Sequence, residues 1–100
     1  MKNEHDLAYD RQSREDIAKD TARYLSVEYD SVLRYLEAND PAGAERVKAD
    51  NETLNFKELK NIDFRSFTDD QLTEFLDTAG QYSKDFREVK QAIFKVRHDN

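Results

Sequence analysis

Between Ser13 and Ala38 the apolar residues Ala18, Ala22, Leu25, Tyr29, Val32 and Leu36 recur at alternating four- and three-residue steps. On a helix that spacing lays them in one continuous stripe, with Lys19, Arg23, Asp30, Arg34 and Glu37 falling opposite. The pattern predicts a helix over 13–38, roughly seven turns long. Ser13-Arg14-Glu15-Asp16 reads as its capping box, in which the serine hydroxyl takes a free backbone N–H and the acid reaches back. Residues 1–12 are polar except for Leu7, Ala8 and Tyr9, and either extend this helix or fray.

The same alternation returns near the end of the chain, through Phe75, Ala79, Tyr82, Phe86, Val89, Ile93 and Val96. Thr68-Asp69-Asp70-Gln71 is a second capping box, and Phe67 before it is placed to staple onto Leu72, so this helix starts at Asp69. The stripe passes straight through Gly80, which leaves two readings open: a C-cap there, or one helix to about Arg97. A glycine inside a helix costs about 1 kcal/mol relative to alanine and ordinarily marks a close helix contact or a kink.

The middle of the chain is leaner. Pro41 disfavours helical geometry at Asp40, while aspartate is a good N-cap and proline suits the first helical position, so one helix ends and the next begins at Asn39-Asp40-Pro41. The second helix runs to Asn51 or Leu54, with Ala44 and Val47 inward. Asn55-Phe56-Lys57-Glu58 offers a further capping box, and Phe56, Leu59 and Ile62 suit a short helix over the end of a bundle. Ile62-Asp63-Phe64 alternates like a strand, but a strand without partners is no sheet. With only two glycines and one proline, the expected fold is all-α: a single-domain bundle of three to four helices, built around two long amphipathic helices packed antiparallel.

Composition then narrows the function. Hydrophobic residues make up 37% and charged residues 38% of 100, with a mean hydropathy of −1.02, so the core is small and the surface heavily solvated. Apolar runs of two or three residues exclude a membrane span, and no apolar run follows Met1-Lys2 as a secretory signal would. The absence of cysteine removes disulfides, thiolate nucleophiles and cysteine zinc sites. Together these features lead us to expect a cytoplasmic protein. The net charge of −6 favours basic protein partners and disfavours nucleic acid and anionic membrane.

His5 and His98 sit near the termini without metal-ligand spacing, and there is no Glu-x-x-His pair, calcium loop, phosphate loop or Gly-x-Ser-x-Gly elbow. No cofactor and no enzymatic activity are expected.

What stands out is the aromatic content of 11%. Ile17, Tyr24 and Tyr35 line up about 100° around the first helix from its main stripe, a second and narrower seam. Either another helix of the domain packs there, or the seam is a partner or dimer surface, since tyrosine is enriched at interfaces. Leu76 and Phe94 form a similar pair off the stripe of the last helix. Lys84, Arg87, Lys90, Lys95 and Arg97 make that helix basic, although they are spread around it.

The function expected from these features is a non-enzymatic protein-binding module, a regulator, inhibitor or small subunit acting through a helical surface with exposed tyrosines. The alternatives are a self-associating homodimer closed by the four-three stripes and an accessory nucleic-acid-binding protein using the basic last helix. Small acidic helical chains are common among phage and mobile-element products, which is an association and not a physical argument.

Overall fold

A computed structural model describes the backbone of residues 4–99 and the side chains of residues 10–97. His5, Leu7, Ala8, Tyr9 and His98 therefore have side chains outside the described set. Three α-helices, α1 (Glu4–Asn39), α2 (Pro41–Leu54) and α3 (Asp69–Asp99), are joined by two short 3-10 segments, Phe56–Asn61 and Phe64–Ser66. No strand occurs among the described residues, and Ile62 and Asp63 form the extended link between the 3-10 segments. The all-α bundle is as expected.

The helix boundaries follow local chemistry, with two corrections. Helix α1 begins at Glu4, so residues 4–12 extend it and Ser13 lies inside. A capping box acts only where backbone N–H groups lack a partner four residues back, and the turns before Ser13 supply those partners. The Asn55 box is also different: its side chain makes no capping bond. Asn55 instead closes α2 through its backbone, in the left-handed conformation (φ 52°, ψ 68°), its N–H donating to the Asn51 carbonyl at 2.8 Å.

The other caps form as expected. Asp40 Oδ1 accepts from the Gly43 N–H at 3.2 Å with Pro41 at the first helical position. At the start of α3 the box is reciprocal: the Gln71 N–H donates to Thr68 Oγ1 at 3.1 Å, and the Thr68 N–H to Gln71 Oε1 at 2.9 Å. Helix α3 continues through Gly80, which is exposed; a Cβ added there would meet nothing within 4 Å. Neither a C-cap nor a close helix contact explains this glycine.

The course of the chain differs from the antiparallel pair expected for the two long helices. Arg11 bonds Asp69, Arg14 bonds Thr73, and Lys90 reaches Ser31, at sequence separations of 58, 59 and 59. A constant separation means that α1 and α3 run parallel. The antiparallel course belongs to the segment between them, where successive partners descend α1: Lys48 pairs with Glu37, Lys57 with Asp30, Lys60 N–H with Ser26, and the Phe67 carbonyl with Arg11. Alternating stripes carry no direction; direction is set by the length of the connection. Here α2 and both 3-10 segments carry the chain back to the start of α1, so α3 climbs beside α1. Helix α1 has 36 residues, about 54 Å at 1.5 Å each, and spans the 53 Å long dimension of the molecule.

The core lies where all three layers meet. Ala18, Ala22, Leu25, Tyr29, Val32 and Leu36 of α1 are buried, as are Leu72, Ala79 and Phe86 of α3. Phe56 fills the centre, fully buried, its ring 5.4 Å from Tyr29, 5.2 Å from Tyr82 and 5.4 Å from Phe86. Phe64, Phe67 and Phe75 form a second aromatic cluster nearer the start of α3. No helix among the described residues is long and apolar enough to cross a membrane.

Candidate protein-binding surface

Of the Ile17, Tyr24 and Tyr35 seam, only Ile17 stands out in solvent, 56% exposed. Helix α3 runs along this flank of α1. Tyr24 is half-buried under the Arg87 guanidinium, 5.5 Å from its ring centroid, and Lys90 pairs with Glu28 at 2.8 Å beside it. Burial pushes the Tyr24 phenol above its ordinary pKa, with Glu28 adding to the rise. Tyr35 is half-buried further along, against the core. Leu76 is half-buried and Phe94 is 61% exposed, so that pair does not act as one surface.

The basic residues of α3 divide similarly. Arg87, Lys90 and Arg97 line an open depression of about 700 Å³ together with Tyr24 and Phe94. Lys84 and Lys95 are exposed and do not contribute to it.

A different surface emerges on the opposite flank of α3. Helices α2 and α3 both lean on α1 and scarcely touch each other. Two open grooves run along this flank of α3, with Tyr82 lining both: the first lies between α3 and the 3-10 segments and meets α2 only at Leu54, and the second lies between α3 and α2. The first holds about 550 Å³ over the buried Leu25, Phe56 and Leu59, walled by Leu54, Phe67 and Phe75, with Ser66, Gln71, Glu74 and Thr78 around them. The second holds about 580 Å³ over Val32, Leu36 and Phe86, with Val47, Val89 and Tyr35 beside them. Its charged lining is Asp40, Asp50, Asp85 and Glu88 against the single cation Arg46. At the divide, burial and then the hydrogen bond to Asp50 push the Tyr82 phenol up to about 12.

Sequence patterning put Phe75, Tyr82, Val89 and Val96 into the buried stripe of α3. Ala79 and Phe86 of that stripe are buried, together with Leu72 and Ser83, whereas Phe75, Tyr82, Val89 and Val96 form a flank of their own at seven-residue steps. Phe75, Tyr82 and Val89 are half-buried and Val96 is exposed. Across the groove, Val47 and Leu54 of α2 repeat the same step and are also half-buried. The legible signal was this seven-residue row. What periodicity alone lacked was the information that α2, whose buried residues are Gly43 and Ala44, leaves it uncovered.

Two half-buried apolar rows facing across an open groove suit the side chains of a third element. Among the described residues no three His, Cys, Asp or Glu side chains gather as a metal site would require. Comparison with protein-family models, with curated proteins and with solved structures finds no match for this chain, so its functional reading rests on this surface.

Proposed function

We propose that the chain is a non-enzymatic protein-binding module, a regulator, inhibitor or small subunit, that engages another protein through its helical surface. The observation that carries this reading is the groove: a chain with 38% charged residues leaves Leu54, Phe67, Phe75, Tyr82 and Val89 only half covered along one side. Apolar surface gathered in one concavity and rimmed by polar groups is the mark of an interaction site. The net charge of −6 favours a partner with a basic face, and the cysteine-free sequence suits the cytoplasm.

The test is affinity capture of the tagged chain at near-physiological salt, comparing the native sequence with Thr78→Arg in the groove and with Ile17→Ala/Tyr24→Ala on the seam outside it. Thr78 is exposed, so the arginine blocks the groove without entering the core. The reading expects one protein retained by the native chain and lost with Thr78→Arg. Loss only with the Ile17/Tyr24 double variant, its circular dichroism intact, moves the interface to the seam; retention of nothing contradicts the reading.

A second reading, self-association, rests on the end of α3, where Phe94 and Val96 are 61% and 52% exposed. Sedimentation velocity separates it: a dimer that Phe94→Ser dissolves supports self-association, and a monomer at all concentrations removes it.

A further inference from the structure

We propose that the groove along α3, bounded by the 3-10 segments at one end and by α2 at the other, is the vacant position of a fourth helix, and that it takes an amphipathic helix of the partner whose flanks are basic; this rests on the protein-binding reading above. The first argument is periodicity. Seven-residue apolar rows on two neighbouring helices present a seam that a helix fills with side chains at matching spacing, as in the core of a four-helix bundle. Phe75, Tyr82 and Val89 form that row on α3, and Val47 and Leu54 form it on α2.

The second argument is length. From Gln71 to Ala92 the linings of the two grooves, which meet at Tyr82 where its hydroxyl bonds Asp50, follow α3 for 21 residue steps, about 31 Å at 1.5 Å each, room for a helix of several turns rather than for a small molecule.

The third argument is charge, and it selects the occupant. The sides of this seam carry Glu74, Asp85 and Glu88 on α3 and Asp50 on α2, with Asp40 at the entry and Arg46 the one opposing cation. A helix with lysine or arginine beside its apolar stripe meets opposite charge along α3, where Glu74, Asp85 and Glu88 line the grooves with no cation of α3 among them, as flanking charges do in coiled coils. A second copy of this chain brings its own net −6 to the same acidic rim, which disfavours it as the occupant.

The chain contains no tryptophan, so a peptide with one tryptophan reports its own burial by fluorescence. The probe is an 18-residue peptide with leucines at i, i+3, i+4 and i+7, the tryptophan on that face and lysine and arginine beside it. Its twins carry glutamate in place of the cations, or the same residues in scrambled order.

The proposal expects a saturable blue shift with the basic peptide, at least tenfold weaker binding for both twins, and loss of binding with Thr78→Arg. Asp85→Lys/Glu88→Lys weakens it at least tenfold. Asp20→Lys/Asp77→Lys, which changes net charge equally at exposed positions outside the groove lining, leaves it within twofold. No shift with the basic peptide, equal binding of the acidic twin, or indifference to Thr78→Arg overturns the proposal. So does a dimer of the native chain that Thr78→Arg dissolves, because the occupant is then a second copy. A captured protein that Thr78→Arg still retains leaves the binding reading standing and removes the groove assignment. Peptide binding without any captured protein does the reverse.

Discussion

At the residue scale the fold is pinned by a few side chains that reach between elements. Phe56 is the ring on which α1, α3 and the first 3-10 segment meet, and its truncation to alanine is expected to cost about 3–5 kcal/mol in denaturant unfolding. Ser26 is the polar counterpart. Its hydroxyl, buried on α1, donates to the Phe56 carbonyl at 2.7 Å and accepts from the Lys60 N–H at 3.0 Å. Ser26→Ala removes both bonds and is expected to cost about 1–3 kcal/mol, while Ser26→Thr, which keeps the hydroxyl, retains most of that stability. Arg11 does similar work at the other end: it bonds Glu15, Asp69 and the carbonyls of Phe64 and Phe67, and its guanidinium pKa is raised chiefly by Glu15 and Asp69. None of these three roles is written in periodicity, because each depends on which backbone group arrives beside the side chain.

The tyrosines set a pH dependence of the same residue-level kind. The Tyr82 phenol stands near 12 in the fold against an ordinary 10.0, and burial raises Tyr24 and Tyr29 in the same direction. A raised folded-state value means that the fold favours the protonated phenol. The stability it confers is complete below about pH 10 and is lost as pH rises through about 12. Thermal unfolding followed from pH 9 to 12 should show that fall, and Tyr82→Phe should make it shallower.

At the scale of elements, what sequence gives and withholds is clear from particular cases. The Thr68–Gln71 box and the Asp40-Pro41 junction were legible because capping is local: donor and acceptor lie within four residues. Ser13 misled because the same four letters inside a longer helix have nothing to cap. Gly80 and Gly43 show the limit from the other side. An alanine Cβ meets nothing at Gly80, whereas at Gly43 it would lie 2.5 Å from Asp40 Oδ2 and push the carboxylate off its cap. Gly80→Ala is accordingly expected to stabilise by about 1 kcal/mol, and Gly43→Ala to destabilise.

The relative direction of α1 and α3 is checked just as directly, since a cysteine-free chain accepts engineered pairs cleanly. Arg14→Cys/Thr73→Cys should cross-link with a short bismaleimide. Arg14→Cys/Arg97→Cys should not, because Arg97 lies 24 residues, about 36 Å, further along α3. The opposite outcome would restore an antiparallel pair.

At the scale of the whole molecule, the parallel course of α1 and α3 leads to the groove. A return path made of one 14-residue helix and two 3-10 segments covers α1 but leaves the flank of α3 that carries Phe75, Tyr82 and Val89 half open. Of the candidate site residues picked by periodicity on α1, Tyr35 lines the second groove while Ile17 and Tyr24 lie outside both, Tyr24 under Arg87 of α3, since a seam of tyrosines reads the same whether a neighbour in the chain or a foreign protein covers it. Charge sharpens the contrast: the groove is rimmed mostly by acids, while Arg87, Lys90 and Arg97 gather around Tyr24.

The measurement that tests this account most directly is an amide chemical-shift map of the isotopically labelled chain with the captured partner added. The account predicts that the largest changes fall on Gln71–Thr78, Val89–Ala92, Val47 and Leu54. Changes centred on Ile17, Tyr24 and Arg87, with those positions unmoved, would contradict it.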